Sequence, residues 1–113
     1  MPLRLGPREE LYGQFIDEAS KLFADALQHQ IEEASALVGL YALISRIRLR
    51  GSPQVTEHAE QIAELIVATY LAPNKTFREL RDLLHREAKD PFHAFSEACH
   101  KELRTLESAR RLV

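Results

Sequence analysis

Apolar residues recur every three or four positions along almost the whole chain, which is the spacing of an amphipathic α-helix. No segment alternates apolar and polar residues for long enough to predict a β-strand. Proline interrupts the helical pattern at Gly6-Pro7, Ser52-Pro53 and Asp90-Pro91. Proline suits the first turn of a helix, and Ser or Asp before it suits the N-cap. The sequence therefore predicts an all-α protein.

Five helices are predicted, because each of five apolar repeats has a start or stop signal at its ends. Short connections between long helices favour antiparallel neighbours, so residues 1–113 should form a single compact bundle. The order is long, long, long, short, long. The approximate limits are Pro7 to Gln28, Glu32 to Leu49, Pro53 to Leu71, a short helix opened by the capping box of Thr76 to Glu79, and Pro91 to Arg110.

The second predicted helix contains the longest apolar run, "ALVGLYALI", from Ala36 to Ile44. A helix that is apolar nearly all round is typical of the buried centre of a bundle. We therefore expect this helix to be the most buried one, with Gly51 as the C′ residue beyond its end. The run is far shorter than the ~20 residues that span a bilayer, so membrane contact is not expected of this chain.

Composition narrows the class of function. The formal charge of −2 argues against a nucleic-acid binder, although a local basic patch would still give salt-sensitive binding. The single cysteine, Cys99, excludes an internal disulfide and fits a reducing compartment. No apolar leader segment opens the sequence, so a cytoplasmic location is predicted. There is no Gly-x-Ser-x-Gly motif and no glycine-rich phosphate loop, and we predict that the protein is not an enzyme.

The last helix carries the densest set of chemically active side chains, in "DPFHAFSEACHKEL". On a helical wheel the set divides, because Phe92, Phe95 and Cys99 share one face with Leu103 and Leu106. The residues on the other side form a polar stripe of His93, Glu97 and His100. A metal would need further ligands from elsewhere. Glu97-x-x-His100 is also half of a di-iron pattern, but no second Glu-x-x-His exists. No metal or cofactor is predicted, and the stripe is the remaining candidate for metal or small-molecule binding.

The second helix ends in a basic stretch containing Arg46, Arg48 and Arg50. Cations are favourable at a helix C-terminus, so a structural role explains them. Arg48 is expected on an apolar side of the helix, where a carboxylate should pair with it. Asp17 or Glu18 on the first helix is the predicted partner.

The first helix has a wide apolar stripe whose residues follow a 3-4 spacing. Such a seam could pair with another chain, or it could be internal core. We predict a non-enzymatic interaction module that binds a protein partner or a second copy of itself. The candidate interaction residues are Tyr12, Phe15, Ala19, Leu22 and Ala26.

Several segments together resemble a group of bacterial all-helical proteins without an assigned function. The segments are "ELYGQFIDEASKLFADAL", "LYALISRIRL", "SPQVTEHAEQI", "TYLAPNKTFREL" and "DPFHAFSEACHKEL". Members often have a hydrophobic N-terminal segment before the helical domain. The resemblance implies a helical fold and, as a further alternative, the cytoplasmic domain of a membrane-tethered protein. It implies no catalytic residues.

Overall fold

The computed structural model describes residues 6–29, 34–71 and 90–111. These residues form four helices: α1 (Pro7–Ala26), α2 (Ser35–Arg50), α3 (Pro53–Leu71) and α4 (Pro91–Arg111). The predicted all-α class is confirmed for this part of the chain. The short helix predicted from Thr76 lies outside the described residues, so four of the five predicted helices are observed.

Two of the predicted helix starts are visible as hydrogen bonds. Ser52 Oγ accepts from the backbone N–H of Val55 at 3.2 Å, which caps α3. Asp90 Oδ1 accepts from the N–H of Phe92 at 2.9 Å, which caps α4. α1 and α3 begin at Pro7 and Pro53 as predicted, because proline satisfies the helical φ without needing its missing N–H.

The α2–α3 connection turns at Gly51, whose N–H donates to Ile47 O at 2.6 Å. Its φ of −96° is one that any residue adopts, so conformational freedom does not explain the glycine. Space does explain it. A Cβ added here would lie 2.8 Å from the Tyr12 hydroxyl and 3.0 Å from Ile47 O. Gly51 therefore lets the turn approach α1 closely.

α1 and α3 form the centre of the bundle, and α2 and α4 flank them. α1 packs against α2 and α3, and α3 also packs against α4. At one end, the Tyr70 hydroxyl of α3 donates to Asp25 Oδ2 of α1 at 2.7 Å. The prediction that the second helix is the most buried one was wrong. α2 buries three residues, whereas α3 buries seven: Val55, Ala59, Ile62, Ala63, Ile66, Thr69 and Tyr70.

Aromatic rings attach α4 to α1. The ring of Phe95 is fully buried and lies 4.9 Å from Phe15 and 6.1 Å from Tyr12, measured between ring centroids. Phe23 and Phe92 make a second pair at 5.7 Å. Tilted and edge-on ring pairs at these distances add to the burial of apolar area. The predicted inner face of the last helix is confirmed at Phe95 and Cys99, which are both buried. It was wrong at Leu106, which is exposed.

Candidate functional site

α2 carries apolar residues on two opposite faces, and one of the two is exposed. Leu40, Ile44 and Ile47 point into the core. The opposite side exposes 64% of Val38, 47% of Tyr41 and 86% of Leu49. At 100° per residue these three share one stripe with three small exposed residues. We call this stripe the outer face of α2. It consists of Val38, Tyr41, Ala42, Ser45 and Leu49 of the helix and of Ala34, which immediately precedes it.

The outer face explains why "ALVGLYALI" is apolar nearly all round. A helix at the edge of a bundle needs one apolar side, and the second side contacts nothing in the described residues that would bury it. Single exposed hydrophobic residues are common on protein surfaces, but an aligned row of them is typical of an interaction site. The apolar run that predicted a buried helix therefore indicates a helix with two apolar surfaces.

Arginines border the outer face near the C-terminal end of α2. Arg46 and Arg50 border a small cavity of about 130 Å³ next to the start of α1. Arg48 forms an ion pair with Glu60 of α3. The prediction of Asp17 or Glu18 as its partner was wrong, because Arg48 is exposed on the side that faces α3. An exposed ion pair of this kind contributes little to stability.

The five candidate interaction residues of α1 are all in the core. Tyr12, Phe15, Ala19, Leu22 and Ala26 are each buried. Their seam is already covered by the other helices of the same chain, so it offers no apolar surface to a partner. The seam is therefore internal core, and the prediction that these five residues form an interface was wrong.

Two of the three residues of the polar stripe line a groove between α3 and α4, and the third lies outside it. His93 and Glu97 line the groove, with His93 Nε2 lying 3.7 Å from Glu97 Oε1. His100 is exposed and does not line it. The groove has a volume of about 950 Å³, and its wall includes Gln54 and His58 of α3 and the preceding residue, Ser52. The fold thus adds His58 to two of the three predicted residues.

The described residues contain no group of three or more His, Cys, Asp or Glu side chains placed to hold a metal ion. His93 and Glu97 are both exposed and pair with each other. A zinc ion takes three protein ligands in catalytic sites and four in structural ones, each about 2.0–2.3 Å from the metal. Nothing in this part of the chain therefore supports metal binding by His93, Glu97 and His100.

Cys99 lies on the inner face of α4 and is buried. Burial, assisted by the nearby carboxylate of Glu102, raises the pKa of its thiol from 9.0 to about 12. The thiolate is the reactive form of cysteine, so a thiol that stays protonated near neutral pH is a poor nucleophile. Cys99 therefore packs as a small apolar residue of the core.

Glu102 is a structurally important residue that the sequence analysis did not single out. Its side chain is only 10% exposed, and it accepts hydrogen bonds from three directions. Oε1 accepts from the Tyr12 hydroxyl at 2.8 Å and from Arg8 at 3.3 Å. Oε2 accepts from the backbone N–H of Ser52 at 2.9 Å, at the start of α3. A helical wheel could have revealed it. Glu102 follows Phe95 by seven positions and Cys99 by three, so it lies on the same face of α4 as these two residues.

The carboxylate of Glu102 in turn affects the tyrosine that binds it. Burial is the largest cause that raises the pKa of Tyr12 far above its ordinary value, and the hydrogen bond to Glu102 raises it further. The phenol therefore remains a proton donor throughout the neutral range. The Glu102 cluster satisfies its own donors and acceptors and joins α1, α3 and α4, which is a structural role.

No protein-family model, no curated protein and no solved structure matches this chain. No helix among the described residues is long and apolar enough to cross a membrane. The cytoplasmic location stays a prediction.

Proposed function

We propose that the protein is a non-enzymatic helical interaction module that associates with a second copy of itself through the outer face of α2. The observation that carries this proposal is the exposure of Val38, Tyr41 and Leu49 in one stripe. Apolar area left in water on a folded domain favours association, at roughly 25 cal/mol per Å² of the area that a partner covers. A second copy offers the same apolar stripe.

The expected complex is weak. Two helices of 16 residues each bury an interface at or below the low end of the range for stable complexes, which is about 1,200 Å² in total. Such interfaces belong to transient assemblies, so we expect a dimer that forms only at high protein concentration. The proposed role of the outer face of α2 is therefore reversible association of two copies of the chain.

Sedimentation equilibrium tests the proposal. The wild-type chain should show a monomer–dimer equilibrium at concentrations that approach about 1 mM, which corresponds to a binding free energy near −4 kcal/mol. Leu49→Ser should weaken the dimer by several-fold, because it places a polar group in the stripe. Leu71→Ser is the matched control, since Leu71 is 78% exposed at the end of α3 and lies outside the stripe.

A strictly monomeric wild-type protein at the highest concentration would refute self-association. Equal effects of Leu49→Ser and Leu71→Ser would refute the outer face of α2 as the interface. Circular dichroism of both variants checks that each retains its helices.

A second candidate function is small-molecule binding in the groove between α3 and α4. Its volume of about 950 Å³ is at the upper end for ligand pockets, and it combines the apolar side chains of Ala94, Ala98 and Leu106 with polar groups. The anionic dye 1-anilinonaphthalene-8-sulfonate is a suitable probe. Ala98→Phe should reduce dye fluorescence by filling the groove. Loss of fluorescence in Leu49→Ser instead would assign the dye to the outer face of α2.

A further inference from the structure

We infer that the two copies pair through α2 in antiparallel orientation, with the two-fold axis passing between Tyr41 and Ala42. This inference rests on the proposed self-association and adds the geometry of the interface. Closed dimers are usually two-fold symmetric, so the same surface must be complementary to itself. The outer face of α2 has this property in one orientation only.

Size complementarity is the first reason for this axis. An antiparallel pair centred between residues 41 and 42 places Val38 opposite Ser45, and Tyr41 opposite Ala42 of the partner. Leu49 then lies opposite Ala34. Every large side chain of the stripe therefore meets a small one, which is how interdigitated helix pairs fill space.

A parallel pair lacks this complementarity. It would place Val38 against Val38 and Leu49 against Leu49, and would set Ala42 against Ala42 and Ser45 against Ser45. Two large residues would hold the helices apart at some levels, and the small residues would leave gaps at others. Gaps between packed surfaces lose dispersion contacts and destabilise the interface.

Charge is the second, independent reason. Arg46, Arg48 and Arg50 are all exposed in the last turns of α2. A parallel pair would bring Arg46 and Arg50 of both copies together at one end of the interface, beside the two Arg48–Glu60 ion pairs. Like charges at this distance repel. An antiparallel pair separates the two sets by the length of the helix. It also sets the two helix dipoles in opposite directions, which is the favourable arrangement.

The side of α2 that faces the core does not interfere with this arrangement. Leu40, Ile44 and Ile47 stay packed on α1 and α3, because they are on the opposite side of the helix. The partner helix can therefore approach without changing the fold of either copy.

Cysteine cross-linking tests the axis in the full chain. Cys99 is buried, so the wild-type protein serves as the uncross-linked control. Ala42→Cys lies beside the axis and should form a dimer with a short bis-maleimide that has a reach of about 8 Å, the spacing of packed helices. Val38→Cys alone should react several-fold less, because its two copies lie seven residues apart along the helix, or roughly 10 Å.

A mixture of Val38→Cys and Ser45→Cys separates the two orientations. In the antiparallel pair the mixture should cross-link several-fold more than either variant alone. Efficient cross-linking of Val38→Cys with itself would overturn the inference in favour of a parallel pair. A dimer in sedimentation with no cross-link at any of these positions would overturn the axis and leave the proposed function standing. A monomer at all concentrations would overturn both.

Discussion

The Tyr12 hydroxyl donates a 2.8 Å hydrogen bond to Glu102, although the two residues are 90 positions apart in the sequence. The same carboxylate accepts from the backbone of Ser52, so one side chain of α4 joins the beginnings of α1 and α3. Burying a carboxylate until it is only 10% exposed destabilises a fold unless its oxygens accept hydrogen bonds. The helices are therefore held in register by a polar cluster as well as by apolar contacts.

Replacing Glu102 should destabilise the fold strongly. Glu102→Ala removes the acceptor for Tyr12 and Ser52 and leaves their donors without a partner inside the protein. We expect a loss of about 2–3 kcal/mol in the free energy of unfolding. Urea denaturation followed by circular dichroism measures it. Glu64→Ala, at an exposed carboxylate on α3, should change stability by less than about 0.5 kcal/mol. Equal effects of the two variants would contradict the importance of the cluster.

The close approach of Gly51 to Tyr12 predicts a coupled pair. Gly51→Ala places a methyl group 2.8 Å from the hydroxyl oxygen, so it should destabilise by about 1–3 kcal/mol. In the Tyr12→Phe background the hydroxyl is absent, and the effect of Gly51→Ala should be smaller by at least about 0.5 kcal/mol. A double-mutant cycle of unfolding free energies measures this coupling.

Gly13→Ala is the control for this pair. Gly13 lies in α1, and a Cβ added there meets nothing within 4 Å. Alanine is the better helix former, so this change should stabilise by roughly 0.5–1 kcal/mol. Additive effects of Gly51→Ala and Tyr12→Phe would show that the hydroxyl does not restrict the turn.

Phe95 should be the most sensitive aromatic position. It is fully buried between Tyr12 and Phe15, and Phe95→Ala should lower the free energy of unfolding by about 3–5 kcal/mol. Phe92 is half-buried and pairs with one ring, so Phe92→Ala should have a smaller effect. The urea midpoints of the two variants decide the order, and the reverse order would contradict the packing described for α4.

Stability should fall in alkaline solution. The pKa of Cys99 is raised from 9.0 to about 12 and that of Tyr70 from 10.0 to about 12. Both groups are protonated and neutral in the folded state, so their contribution is complete below the unfolded pKa. As pH rises from about 9 towards 12, the unfolded chain ionises first and unfolding becomes easier. Each such group lowers stability by at most ~1.4 kcal/mol per pH unit.

Cys99→Ala isolates one of these groups. The variant should have a shallower loss of stability between about pH 9 and pH 12 than the wild type, with the Tyr12 and Tyr70 contributions retained. The unfolding free energy of each protein is measured at several pH values, and the slopes against pH are compared. The packing effect of the substitution does not depend on pH, so it does not change the slope. Identical slopes in the two proteins would contradict a raised pKa for the thiol.

Local sequence signals predicted the all-α class and the starts of α1, α3 and α4. Helical periodicity and the caps at Ser52 and Asp90 act within a few residues, so they can be interpreted from the sequence alone. The inner face of α4 was also predictable, because Phe95 and Cys99 lie on one side of a single helix. These features need no knowledge of the neighbouring helices.

Only the tertiary structure decided which apolar face lies inside the bundle. "ALVGLYALI" predicts a helix with much apolar surface, but nothing in the run says whether one side or both are covered. The seam of Tyr12 and Phe15 turned out to be covered, and the stripe of Val38, Tyr41 and Leu49 turned out to be exposed. Burial depends on the arrangement of all the helices, and contacts such as Glu102 with Tyr12 join residues that no local pattern connects.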